Sequence, residues 1–143
     1  MSAETLVVEF EVAVPPAEAF DAWTQRCTTW WPPSHTISGR PASITFEPRP
    51  GGRIVERAPD GAEHPWGTVL DWQPPGRLRY LWHLFFEPAQ ATEVEITFTA
   101  RNAHTAVRLE QRGWERLGDA GPPRRDRTRD AWRAITGRFV AAL

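Results

Sequence analysis

His35 lies in the stretch Thr29–Ser38, TWWPPSHTIS, beside two tryptophans and two prolines. An unperturbed imidazole titrates near about 6.5, so His35 could hydrogen-bond a ligand carbonyl or move a proton. Thr36 and Ser38 follow it, and no neighbouring carboxylate orients it. A loop histidine bonded to backbone or solvent is the reading that weighs more. His83 ends a strand pattern and should meet solvent, while His64 and His104 fall at turns. The four histidines show no HxH or HExxH spacing, so no metal site is expected. The one cysteine, Cys27, excludes an internal disulfide and a cysteine-based zinc cluster. All 17 basic residues are arginine, which excludes a lysine Schiff base. No Ser–His–Asp or Cys–His arrangement is recognisable, and no cofactor is implied.

The stronger signal is aromatic. Eight tryptophans in 143 residues is unusual, and tryptophan favours cores, pockets and interfaces. Trp30 and Trp31 precede Pro32 and could wall the core or form a lid over a cavity mouth. Leu78, Tyr80 and Trp82 share one strand face, so Tyr80 could hold a ligand's polar group while Trp82 stacks on it, or both could be plain core. Gln111 falls in phase with Val107 and Leu109. An inward glutamine must either satisfy a core group or present its amide to a ligand. Trp66 and Trp114 lie at strand ends, where a rim position is expected. Trp132 stands on an apolar stripe that would line the same space.

These residues need elements to hold them. Glu4–Val14 alternates with period two, as a half-buried strand does. Pro15-Pro16 stops it and opens a short helix bearing Phe20 and Trp23 on one face. A second short helix should end at Pro32. Strands are expected at Ile44–Glu47, Arg53–Arg57, His64–Trp72, Leu78–Trp82, Val94–Thr99 and Val107–Arg112. In the third of these Thr68 and Asp71 fall on opposite faces, which points to a bulge. Gly113–Arg125 reads as a polar loop, and Asp126–Leu143 as a helix capped by Asp126. Its residues Trp132, Ile135, Phe139 and Leu143 are spaced three, four and four. The run Arg124-Arg125-Asp126-Arg127-Thr128-Arg129 is locally basic; a solvated helix start is the usual explanation, and a phosphate or acidic-partner site the alternative.

The whole is an α+β fold: a curved antiparallel sheet of about six or seven strands wrapped around a long C-terminal helix, with two short helices after the first strand. The length fits one domain, 1–143. Net charge −1 gives no reason to expect nucleic acid. No signal-peptide pattern and no apolar run of about 18 residues occurs, so no membrane span is expected and a cytoplasmic location is.

Several motifs occur in an order and spacing that resemble one family. They are PPAEAFDAWT at Pro15–Thr24, WWPPSH at Trp30–His35, FEPRPGGRIVER at Phe46–Arg57, PDGAEHPWGTVLDWQPPGRLRYLW at Pro59–Trp82, TEVEITFTA at Thr92–Ala100 and VRLEQRGW at Val107–Trp114. The chain resembles the helix-grip, START-like superfamily (SRPBCC), in the branch similar to the C-terminal domain of the activator of the heat-shock-protein-ninety ATPase. The resemblance implies a cavity between sheet and long helix for an apolar or amphipathic small molecule, and no single reaction. Many such sequences carry histidine where this chain has Gln111. The co-chaperone's separate N-terminal domain has no counterpart, so direct chaperone activation is not expected.

The leading expectation is thus binding of a hydrophobic or aromatic small molecule, lined by Trp30, Trp31, His35, Trp66, Tyr80, Trp82, Gln111 and Trp132. An interaction module with a chaperone partner ranks second. A polyketide cyclase or aromatase-like enzyme using His35 and Tyr80 ranks third, because no catalytic set converges. A homodimer is left open.

Overall fold

The computed structural model describes residues 4–143. Seven strands form one antiparallel sheet: β1 (Leu6–Val12), β2 (Ser43–Phe46), β3 (Arg53–Arg57), β4 (Glu63–Gln73), β5 (Arg77–Trp82), β6 (Thr92–Arg101) and β7 (His104–Arg112). The helices are α1 (Pro16–Thr24), α2 (Cys27–Trp30) and α3 (Gly121–Ala141). The spatial order is β1-β7-β6-β5-β4-β3-β2, so consecutive strands β1 and β2 stand at opposite edges. The chain between them must cross the full width of the sheet. It does so over the inward face, carrying α1 and α2, and this is why Trp30 and Trp31 end up inside.

Alternation decides what each strand sends inward. Leu78, Tyr80 and Trp82 of β5, Val94, Ile96 and Phe98 of β6, and Val107, Leu109 and Gln111 of β7 are all buried. The outward residues of the same strands form a ladder of ion pairs. Arg112 reaches Glu93 at 2.6 Å and Glu95 and Glu110 at 2.9 Å. Arg77 joins Glu95 to Asp71. Such half-exposed pairs contribute little singly, but opposite charges facing across strands favour this register over a slipped one.

β4 holds two extra residues, Trp66 against β3 and Leu70 against β5. The second is the bulge that the phasing of Thr68 and Asp71 predicts. Each extra residue increases the local bend and twist, and the sheet curls around α3. Gly67, between them, lies against β5 so closely that a Cβ there would collide with the carbonyl of Leu81.

α3 starts at Gly121, five residues before the expected Asp126. Pro122 and Pro123 had marked the segment as loop, but they occupy the first turn, where no N–H is needed. Asp126 is therefore no cap; it pairs with Arg125 and Arg129. Trp114–Ala120 is likewise not an open loop but a stretch of 3₁₀ turns with Trp114 buried. Trp132, Ile135 and Phe139 form the buried stripe as spaced, and Leu143 is partly buried at its end. Among the described residues no helix is long and apolar enough to cross a membrane.

Candidate ligand site

Six of the eight tryptophans converge between the sheet and α3. Trp31 lies 5.2 Å from Trp66, 5.8 Å from Trp82 and 6.0 Å from Trp132, centroid to centroid. Trp82 in turn lies 5.5 Å from Tyr80 and 5.9 Å from Trp132. Toward the other end Trp23 packs on Trp30 at 5.1 Å and on Phe139 at 5.0 Å. The space expected to be hollow is occupied by indole rings at stacking and edge-to-face distances. Hollows open at the surface elsewhere. One of about 510 Å³ lies between β1 and α3. Another, of about 420 Å³, is lined by Phe20, Trp72 and Pro48, Pro74 and Pro75.

Most polar atoms of this interior are spoken for. Trp132 Nε1 donates to Gln111 Oε1 at 2.6 Å, and Gln111 Nε2 donates to Thr92 Oγ1 at 2.8 Å. Trp114 Nε1 donates to the Gln111 backbone carbonyl at 2.9 Å. Of the two alternatives for Gln111, satisfying core groups is the one its geometry fulfils. Trp30 Nε1 donates to the Ala22 carbonyl, and Trp31 Nε1 to that of His35. Both rings are core walls.

Two atoms are exceptions. Trp23 Nε1 and Tyr80 Oη are buried and have no hydrogen-bond partner. They are neighbours, close enough for the indole to favour the phenolate, but short of hydrogen-bond geometry. Burial first, and Cys27 after the Trp23 effect, push the Tyr80 phenol far above its ordinary value, so the hydroxyl stays protonated. Burial likewise pushes the Cys27 thiol up, leaving an inert packed sulfur.

The sequence reading missed Glu56. It is fully buried in phase with Ile54, a pattern visible in RIVER at Arg53–Arg57. Its carboxylate accepts Ile37 N at 2.7 Å, Ser38 N at 2.8 Å, the Ser38 hydroxyl, and Trp66 Nε1 at 3.1 Å. Burial pushes its pKa up, but these donors outweigh burial and hold it below the usual carboxylate range. Glu56 thus ties the loop after α2 to the floor of the aromatic cluster.

His35 stands at the edge of this region on a single 3₁₀ turn, half-buried, with Nδ1 3.1 Å from Ser34 Oγ. It makes no hydrogen bond with Tyr80. Trp66 is not on an open rim but buried, beneath the Glu56-anchored loop. His83 is not solvent-facing either: its N–H extends the strand ladder to Trp66 O, and the ring tucks beneath the turn with Nδ1 3.2 Å from Phe86 O. That turn leaves Phe85 and Phe86 exposed, with Phe85 at φ 69, which is uncommon for a bulky residue. Ile37 is exposed on the Glu56-anchored loop. The turn meets the start of α3 through Arg124, and the Ile37 loop is tied through Glu56 to Trp66, so both border one end of the aromatic cluster, its rim. Among the described residues no cluster of three or more His, Cys, Asp or Glu could hold a metal ion.

The fold recurs in solved structures. One described as an anthrahydroquino-γ-pyrone synthase, Txn09, complexed with SUM, is 33% identical over 84% of this chain and 83% of its own, with a TM-score of 0.62. Protein MLL2253 from Mesorhizobium loti is 24% identical over 96% and 95%, with a TM-score of 0.69. The Aha1 dimer from Colwellia psychrerythraea, 14% identical over 99% and 96%, superposes with a TM-score of 0.72. No curated protein matches this chain in sequence. A sequence profile described as "Activator of Hsp90 ATPase homolog 1-like protein" matches residues 13–143, and with a curled seven-strand sheet gripping a C-terminal helix the chain belongs to that family.

Proposed function

We propose that this protein binds a planar, largely apolar small molecule among the rings between the sheet and α3. The observation that carries this reading is the pair of unpartnered polar atoms, Trp23 Nε1 and Tyr80 Oη, inside an otherwise satisfied aromatic interior. Leaving such a group unpaired costs about 1–3 kcal/mol. A ligand carbonyl or hydroxyl placed between them would accept from both. The aromatic walls offer stacking surfaces for the rest of the molecule. Because the rings touch in the free protein, the ligand displaces at least one of them; Trp31 and Trp82, below the rim, are the rings on that path.

The 33% identical synthase, whose description names an anthrahydroquino-γ-pyrone, supports a polycyclic, oxygenated aromatic as the ligand class. That relative also favours a second reading, catalysis on such a molecule. In it the protonated Tyr80 hydroxyl would stabilise oxyanion character on a bound carbonyl. His35 has no place in that step, being tied to Ser34 at the rim.

Titration with an uncharged hydroxyanthraquinone tests the binding reading. Saturable quenching of tryptophan emission together with a raised melting temperature is the expected result. Absence of both would remove it.

A further inference from the structure

Arg124 is the one arginine buried among the described residues, with 5% of its surface exposed. It lies on α3 two turns before Trp132, on the same stripe, and so about 12 Å nearer the rim. Its guanidinium lies 3.4 Å from the centre of the Phe86 ring. One nitrogen, Nη1, donates to Gln90 O at 2.9 Å. The other guanidinium nitrogens make no hydrogen bond, yet none is sealed from solvent. No carboxylate among the described residues pairs with it, whereas Arg125 and Arg129 beside it both pair with Asp126. Burial first, then Arg127, lowers its proton affinity, with the pKa pushed down to about 10. A cation taken from water without a counter-charge is costly, and the Phe86 face offsets that only in part.

We propose that Arg124 is an anion seat at the rim of the aromatic interior, and that the ligand is an aromatic acid whose carboxylate or phosphate takes the free edge of the guanidinium. This rests on the binding reading above and narrows it. The planar fork matches two oxygens of such a group, while Phe86 keeps the opposite contact, the flat face. The ring system then points along α3 toward Trp132, and the acid remains where water can reach it.

The test compares 2-naphthoate with its uncharged isostere 2-naphthamide, by tryptophan quenching, on the wild type, Arg124→Met and Arg124→Lys. The wild type should prefer the acid on the order of tenfold to a hundredfold. Arg124→Met should lose that preference with naphthamide affinity unchanged. Arg124→Lys, which keeps the charge and the stem, should lose most of it and carries the test should the methionine variant not fold. Equal binding of acid and amide by the wild type, or a preference that survives both substitutions, would overturn this inference and leave the binding reading standing. Binding of neither compound would overturn this inference, while the binding reading is decided by the hydroxyanthraquinone titration. Inorganic phosphate, compared with chloride at equal ionic strength, forms the remaining arm. Arg124-dependent stabilisation by phosphate with no binding of naphthoate would mean a free-anion site and would overturn the aromatic-acid assignment.

Discussion

The indole nitrogen of Trp132 donates to the side-chain carbonyl of Gln111 at 2.6 Å, joining the middle of α3 to the end of β7. Gln111 passes the link to Thr92 on β6, and its backbone carbonyl takes the Trp114 N–H. One residue therefore fixes the helix, through its side chain, to two strands and, through its backbone, to the start of the 3₁₀ stretch.

Truncating either partner should show in denaturant melts. Trp132→Ala opens a core cavity and should cost about 3–5 kcal/mol. Gln111→Leu keeps the volume but leaves the Trp132 N–H without an acceptor, and should cost about 1–3 kcal/mol. A loss below about 1 kcal/mol for Trp132→Ala would contradict the packed helix.

Glu56 makes stability fall in acid. Its folded pKa is held below the unfolded value of about 4.3, so the unfolded chain takes up the proton first. The stability it contributes is complete above that unfolded value and is lost as pH falls through the folded one. Glu95 behaves alike: burial raises its pKa, but hydrogen bonds from Arg77 and Arg112 win and lower it. The difference between wild type and Glu56→Gln isolates the first. The variant should melt lower at pH 7, with the gap narrowing as pH drops below about 4. A gap constant with pH would contradict the role given to the carboxylate.

Gly67→Ala places a methyl group against the Leu81 carbonyl, a backbone atom of β5 that no side-chain rotation can move aside. It should destabilise by roughly 1–3 kcal/mol through overpacking, although alanine is the milder residue by intrinsic preference. Gly137 offers the control, since a Cβ there meets nothing within 4 Å. Gly137→Ala in α3 should be neutral or stabilising by up to about 1 kcal/mol.

Tyr80→Phe separates stability from binding. Removing a hydroxyl that has no partner should leave the free protein as stable or more so, because its burial is uncompensated. The same change should weaken an oxygenated aromatic ligand several-fold. Parallel losses in both would mean that the hydroxyl already serves the fold.

Much of this was legible because period-two patterns are long here. β5, β6 and β7 place Leu78, Tyr80, Trp82, Val94, Ile96, Phe98, Val107, Leu109 and Gln111 inward as their spacing requires. The stripe Trp132, Ile135, Phe139 located α3. Its start escaped because prolines mark loops and helix first turns alike, and only the tertiary fold chooses. The burial of Arg124, a residue expected in a basic run at a solvated helix start, escaped with it: outside a helix it had no face to share with Trp132. His83 is buried against expectation and Glu56 was not singled out at all, since a polar residue goes inside only when distant segments bring it partners. For Glu56 these are Ile37, Ser38 and Trp66. His35 shows the reverse: the residue type was right for chemistry, but its ring bonds the adjacent Ser34.

The most direct test of the binding account is a structure of the protein with an oxygenated polycyclic aromatic bound. The account predicts a ligand oxygen at hydrogen-bond distance, about 3 Å, from both Tyr80 Oη and Trp23 Nε1, with Trp31 or Trp82 moved from its place in the free protein. A ligand found only in the surface hollow beside Phe20 and Trp72, with the inner rings unmoved, would contradict it.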